Sequence, residues 1–180
     1  MRRIFIVGII ICLIIAVIFG VYYFIIQDKD EKIIEYTPEE EISEEQMRQT
    51  IVSLYFKSQD ELIPEARLID VKELLNNPYE EILNMLIDGP KNSNLEKTIP
   101  DNTKINKIEK QGDYLIIDFS EEFISNHVGG EKNEEITIKS IVNTLTELTE
   151  INGIKILING EENKSFNDSK IKFDKIFERN

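Results

Sequence analysis

Residues Ile4 to Ile26 read IFIVGIIICLIIAVIFGVYYFII, an apolar run without a single charged side chain. As a helix rising about 1.5 Å per residue, it is long enough to cross the roughly 30 Å hydrocarbon core of a bilayer. A cleavable secretory signal has a shorter apolar core and a small-residue cleavage site. The residues after Ala16, VIFGVYYF, offer no such site. A lipoprotein signal places small residues just before its cysteine, whereas Ile10 and Ile11 precede Cys12. The sequence therefore predicts an uncleaved transmembrane anchor over residues 4–26 behind a short cytoplasmic N-terminus, residues 1–3. Arg2 and Arg3 favour an inside N-terminus, and Tyr22 and Tyr23 suit the distal interface. Lys29 and Lys32 weaken the charge bias. A long domain following an N-terminal anchor still normally ends up outside, which predicts a single-pass cell-membrane protein.

That placement makes charge informative. The chain has 34 acidic and 21 basic residues, a formal net charge of −13. Apart from Arg2 and Arg3, every charged side chain lies beyond the run, so the outer part is more acidic still. Such a surface repels nucleic acid and anionic headgroups. Its acidity serves solvation, or a basic partner. The one cysteine, Cys12, lies inside the apolar run. The outer part thus has no thiol for disulfides, catalysis or metal ligation. It must rest on a hydrophobic core, for which about 130 residues suffice.

Residues 27–49 read as an acidic linker with Glu39, Glu40, Glu41, Glu44 and Glu45 close together. Thr37-Pro38-Glu39-Glu40 has the form of a helix start, but no apolar stripe follows to pack it. A self-repelling extended spacer is the expectation. Order is expected over residues 50–180. Val52, Leu54 and Phe56 alternate as one face of a strand. Ser58 to Pro64 is turn-like, and Ala66 to Val71 reads as a second strand. Asn77-Pro78 starts a helix whose stripe is Tyr79, Ile82, Leu83, Leu86 and Ile87. Gly89-Pro90 ends it, with glycine as a left-handed cap. Lys104 to Lys110 is a strand needing a bulge, because Ile105 and Ile108 break alternation. After a turn at Gln111-Gly112-Asp113, Tyr114 to Phe119 is apolar on both faces and so central. A second helix, about Glu134 to Leu148, carries Ile138, Ile141, Val142, Leu145 and Leu148. Ile154 to Ile158 is a buried strand followed by an Asn159-Gly160 hairpin signal. The tail, with Ile171, Phe173, Ile176 and Phe177, is expected to cover an edge. Together these predict an α+β domain: a mostly antiparallel sheet with two amphipathic helices packed on one face.

Asp118, Glu121, Glu122, His127 and Glu131 are the one cluster with chemical potential, and they include the only histidine. A metal or acid–base site there is the sharp hypothesis. No ligand spacing such as H-x-x-x-H supports it, and a solvated loop explains it as well. Ser120, Ser125 and Ser140 lack a G-x-S-x-G elbow, and no phosphate-cradling glycine motif exists. Tyr55 and Tyr114 read as partly buried strand residues. The sequence thus predicts no enzyme: no catalytic, cofactor-binding or metal residues, and no cofactor. The role of the Asn126–Gly130 loop stays open.

Several segments in order carry a resemblance. They are Leu54-Tyr55-Phe56, Leu86-Ile87-Asp88-Gly89-Pro90, Thr98-Ile99-Pro100-Asp101-Asn102-Thr103 and Ile117 to Phe123. Asn126-His127-Val128-Gly129-Gly130, Ser140 to Glu147 and Ile154 to Gly160 complete the set. Over about residues 50 to 165 the chain resembles the GerM/GerMN (sporulation and spore germination) domain family. The resemblance implies a non-catalytic α+β domain similar to the ring-building domains of sporulation membrane complexes. It also implies work in the envelope between two membranes, through assembly with other membrane-anchored proteins or with itself. The best-known members are lipoproteins with two such domains; this chain reads as a transmembrane protein with one. The alternative is an envelope ligand- or cell-wall-binding regulatory module unrelated to sporulation.

Overall fold

The computed structural model describes residues 14–23, 48–167 and 170–179. The chain divides into two units, Met1–Ile42 and Ser43–Asn180. In the first, residues 14–23 are helical with exposed side chains. Among the described residues no helix is long and apolar enough to cross a membrane. The rest of the predicted 4–26 span lies outside the described residues. So do residues 1–3 and all of the 27–49 linker except its last two residues.

The second unit runs β1 (Gln49–Ser58), β2 (Glu61–Asp70), α1 (Val71–Asn76), α2 (Pro78–Asp88), β3 (Ile105–Gln111) and β4 (Tyr114–Phe119). It continues with α3 (Glu122–Ser125), α4 (Glu131–Leu145), β5 (Gly153–Ile158) and β6 (Ile176–Glu178). The mixed α+β character is as expected, but the single sheet is not. β1 and β2 form a separate two-stranded sheet, and the second sheet has the order β3-β4-β5-β6. Its β3–β4 and β5–β6 pairs are antiparallel, while β4 and β5 are parallel. The parallel pair follows from the connection: α3 and α4 lie between β4 and β5, long enough for a crossover. Instead of sharing one face of one sheet with α2, α4 touches both sheets, and α2 packs on α4 and β1.

The β1–β2 turn is much shorter than the expected Ser58–Pro64 loop, and strand pairing resumes at Glu61. Gln59 turns the chain with a φ of 57°. Pro64 is tolerated inside β2 because it faces Tyr55, whose own N–H and C=O point away from β2 toward α4. At such a position a missing N–H costs the ladder nothing.

α2 keeps its predicted bounds. Gly89 ends it at φ 98°, ψ −179°, a conformation of positive φ that glycine adopts freely but not the left-handed cap expected. The predicted bulge in β3 is real, falling between Ile105 and Lys107. β4 is central. The second helix starts and stops about a turn earlier than expected, and Leu148 lies beyond it, partly buried. The Asn159-Gly160 signal makes a tight turn with both residues at positive φ, closed by a single bridge between Ile158 and Glu161.

The core joins Leu54 and Phe56 of β1, Ile82, Leu83 and Leu86 of α2, and the inward side chains of β4, α4 and β5. The tail does more than cover an edge. β6 pairs with β5, and Phe173 is fully buried. Phe166 and Phe173 close an aromatic cluster on Phe123, with ring centroids 5.4 and 6.1 Å away, and Phe119 stacks on Phe123 at 4.5 Å.

Candidate functional site

The hypothesised cluster does not converge. Asp118 accepts a hydrogen bond from the Gly160 N–H at 2.9 Å, and Glu121 accepts one from Asn159 at 3.3 Å. Both therefore serve the turn after β5. Ser120 sits where β4 ends: its hydroxyl accepts from Lys104 N–H and donates to Glu122, which lowers the Glu122 carboxyl. Glu131 is exposed at the start of α4. Among the described residues, no three His, Cys, Asp or Glu side chains are grouped to hold a metal.

His127 has a different setting. Its Nδ1 accepts from the Gly129 N–H at 3.0 Å, so the proton sits on Nε2. Nε2 lies 2.9 Å from Thr137 Oγ1, which in turn donates to the Thr98 carbonyl at 2.7 Å. The ring packs 4.4 Å from that of Phe166. Burial pushes the imidazole below the ordinary histidine range, and the charge of Glu134 opposes this. Both ring nitrogens are engaged in a neutral tautomer, so neither offers a free lone pair to a metal or a proton in transit.

Thr98 begins a second chain of hydroxyls. Ser140 donates to the Tyr55 carbonyl at 2.6 Å, so Thr98 Oγ1 donates to Ser140 Oγ at 2.7 Å. Thr144 accepts from the Tyr55 N–H at 3.0 Å. Thr137, Ser140 and Thr144 recur at i, i+3 and i+7, one stripe of α4 facing β1 and the Thr98 segment. All three are buried, and among the described residues no buried side-chain polar atom lacks a partner. This stripe takes the place of a third strand along β1, helped by the Lys57–Glu96 backbone bridge.

The segments that carried the resemblance therefore meet: Tyr55, Thr98, His127 and Ser140 belong to one seam. Sequence reasoning missed the seam, although the hydroxyl spacing in α4 was a signal for it. Beside it opens a cleft of about 530 Å³ bordered by Lys57, Lys97, Asp101, Asn126, His127 and Thr137. Its charges are internally matched. Lys57 binds Glu96 at 3.1 Å, and Lys97 binds Asp101 at 2.6 Å, which lowers the Asp101 carboxyl. Val128 stands at its rim, 86% exposed.

Two further polar clusters hold the periphery. Buried Arg67 bonds Glu65 and donates to the Gly89 carbonyl at 2.6 Å, while Glu65 accepts from the N–H groups of Lys91 and Asn92. Burial raises the Glu65 carboxyl, but these donors together outweigh it and lower the net value. At the other end, Tyr55 Oη donates to Glu147 at 2.8 Å, and Arg179 bridges Glu147 and Tyr55. Tyr114, like Tyr55, is a half-buried strand residue.

A sequence model of the family described as Germane, sporulation and spore germination, matches residues 53–164, more than half of the chain. Comparison with curated proteins gave no match. Among solved structures, the tandem GerMN domains of the sporulation protein GerM from Bacillus subtilis superpose with a TM-score of 0.61 at 20% identity. The match covers 74% of this chain and 47% of that one, so the chain spans about half the tandem's length. That likeness is one of fold. A putative lipoprotein from Clostridium perfringens superposes with a TM-score of 0.52 at 27% identity, covering 73% of this chain and 89% of that one.

Proposed function

The chain belongs to the Germane family of sporulation and spore germination proteins, and from that premise we propose a non-enzymatic envelope protein that works by assembly. Residues 4–26 anchor it in the cell membrane with the N-terminus cytoplasmic. The domain beyond the 27–49 linker stands outside and associates with other membrane-anchored envelope or sporulation proteins, itself included. The observation that carries this reading is the family match over residues 53–164, which contains the whole hydroxyl seam. The engagement of both His127 nitrogens supports an architectural role for the loop that a catalytic reading would have used. An anchor would also raise the local concentration of a domain whose contacts are individually weak.

Deleting the gene while following spore formation, with a tagged full chain to report location, tests the proposal. Gathering at the engulfing membrane and defective spores are expected. Normal spores and a uniformly distributed protein would refute it. The cleft beside His127 favours a second reading, a cell-wall- or ligand-binding regulatory module. Retention of the protein on purified peptidoglycan, lost in Asn126→Ala, would select that reading instead.

A further inference from the structure

Lys57 is the last but one residue of β1, and its amine is bracketed by two groups of different chemistry. Nζ donates to the side-chain carbonyl of Asn133 at 3.2 Å and lies 3.1 Å from a Glu96 carboxylate oxygen. Lys97, Lys107 and Lys155 also have hydrogen-bonded amines, but theirs meet carboxylates. A carboxamide differs from a carboxylate in one respect. Its carbon can exchange one nitrogen for another and release neutral ammonia.

The three side chains are held in place. Lys57 and Glu96 exchange both backbone hydrogen bonds, at 3.2 and 2.7 Å, which sets the carboxylate beside the amine. Asn133, in the first turn of α4, gives its NH₂ group to the Gly129 carbonyl at 3.0 Å and so turns Oδ1 toward Lys57. Its Cγ lies one carbonyl bond, about 1.23 Å, behind Oδ1, so a small rotation of the amide presents that carbon to Nζ. The Lys57 side chain is mostly buried in the wall of the cleft beside His127, while Glu96 is open to water.

We propose that Lys57 and Asn133 join in an intramolecular isopeptide bond, with Glu96 carrying the proton. Glu96 takes a proton from the ammonium, and the freed electron pair of Nζ attacks Cγ. As the Nζ–Cγ bond forms, the carbonyl pair moves onto Oδ1. Glu96 returns its proton to Nδ2, the Cγ–Nδ2 bond breaks and ammonia leaves. A second proton shed by Nζ makes that ammonia ammonium, so one cation on the chain becomes one in solution and nothing is oxidised or reduced. The reaction happens once per chain and is independent of the assembly reading.

Two magnitudes bear on its rate. At neutral pH only about one lysine amine in a thousand is unprotonated. Groups oriented within one fold reach effective concentrations of about 10⁵ M or more, which outweighs that factor. The bond accumulates slowly and does not revert, because ammonia is lost to dilute solution. It ties β1 to α4 across 76 positions, in a domain whose sequence holds no cysteine for a disulfide.

Intact-mass spectrometry of the full chain in detergent tests this, fresh and after prolonged incubation in mildly alkaline buffer. A loss of about 17 Da, one ammonia, is expected, with a branched tryptic peptide joining the Lys57 and Asn133 segments. Lys57→Arg and Asn133→Ser should keep the full mass, and Glu96→Gln should form the bond at least about tenfold more slowly. Circular dichroism confirms that the variants fold. The Asn152-Gly153 and Asn159-Gly160 pairs can also lose ammonia by closing an imide, and Lys57→Arg separates that route. Full mass throughout in the folded wild-type chain, a loss that persists in Lys57→Arg, or an undiminished rate in Glu96→Gln overturns the proposal.

Discussion

Ser140→Ala removes one oxygen from the centre of the hydroxyl seam and leaves two groups without their partner. The Tyr55 carbonyl loses the donor at 2.6 Å, and the Thr98 hydroxyl loses the acceptor at 2.7 Å. Ser140 is fully buried, so water does not replace it without rearrangement. Each orphaned group costs about 1–3 kcal/mol, and the void left by one atom adds little. The expected destabilisation is about 3 kcal/mol. For a domain of this size, that lowers the melting temperature by roughly 10 °C. Urea unfolding followed by circular dichroism measures it. Thr98→Val supplies the control, because deleting both members of a hydrogen bond strands fewer groups than deleting them separately. The double variant should therefore cost at least about 0.5 kcal/mol less than the sum of the singles. A Ser140→Ala loss below about 0.5 kcal/mol, or strict additivity, would refute the seam as a structural element.

Three further outcomes are expected. His127 is held below its ordinary range, so the unfolded chain takes up a proton first as pH falls. The stability it contributes is complete above about pH 6.5, declines below that, and levels off once the folded form protonates. His127→Gln should remove that part of the slope in urea midpoints measured against pH. Gly153→Ala would put a Cβ 2.8 Å from Ile176 Cγ2 and 2.9 Å from the Phe177 carbonyl oxygen, so β6 must shift. A loss of about 1–3 kcal/mol is expected, and hydrogen exchange should quicken at β6 before β4. Arg67→Met leaves Glu65 without its cation and Gly89 without its donor, at a cost of about 3 kcal/mol. Replacing Glu65 by Leu as well should recover part of the lost urea midpoint.

The legible parts of the fold were those written in neighbouring residues. Asn77-Pro78 and Gly89-Pro90 bracket α2 because proline and glycine act through local backbone geometry. Ile105 and Ile108 disclosed the bulge by breaking a two-residue period. The division into two sheets had no such mark. It depends on Ser140 and Thr144 reaching a strand more than eighty residues earlier. Phe166 was overlooked for a similar reason, since an isolated aromatic in a polar stretch has no periodicity to announce its burial. The carboxylates near His127 were close in sequence and diverged in space. The side chains that do meet it belong to Thr137 and Phe166, and Thr137 in turn ties it to Thr98, so the setting draws on segments far apart in the chain.

The placement of Phe166 and Phe173 bears on how such a domain is made. Both rings close on Phe123, and Arg179 reaches back to Tyr55 across 124 positions. A chain emerging N-terminus first has its hairpin and helices in hand long before these residues arrive. Without them Phe123 lacks two of its three ring partners and β5 lacks its β6 neighbour. Closure of this corner thus waits until residues 166 to 179 have followed the rest of the domain. The family-matched segment ends at residue 164, so a fragment cut there would hold every motif and still lack the clasp that shuts its core.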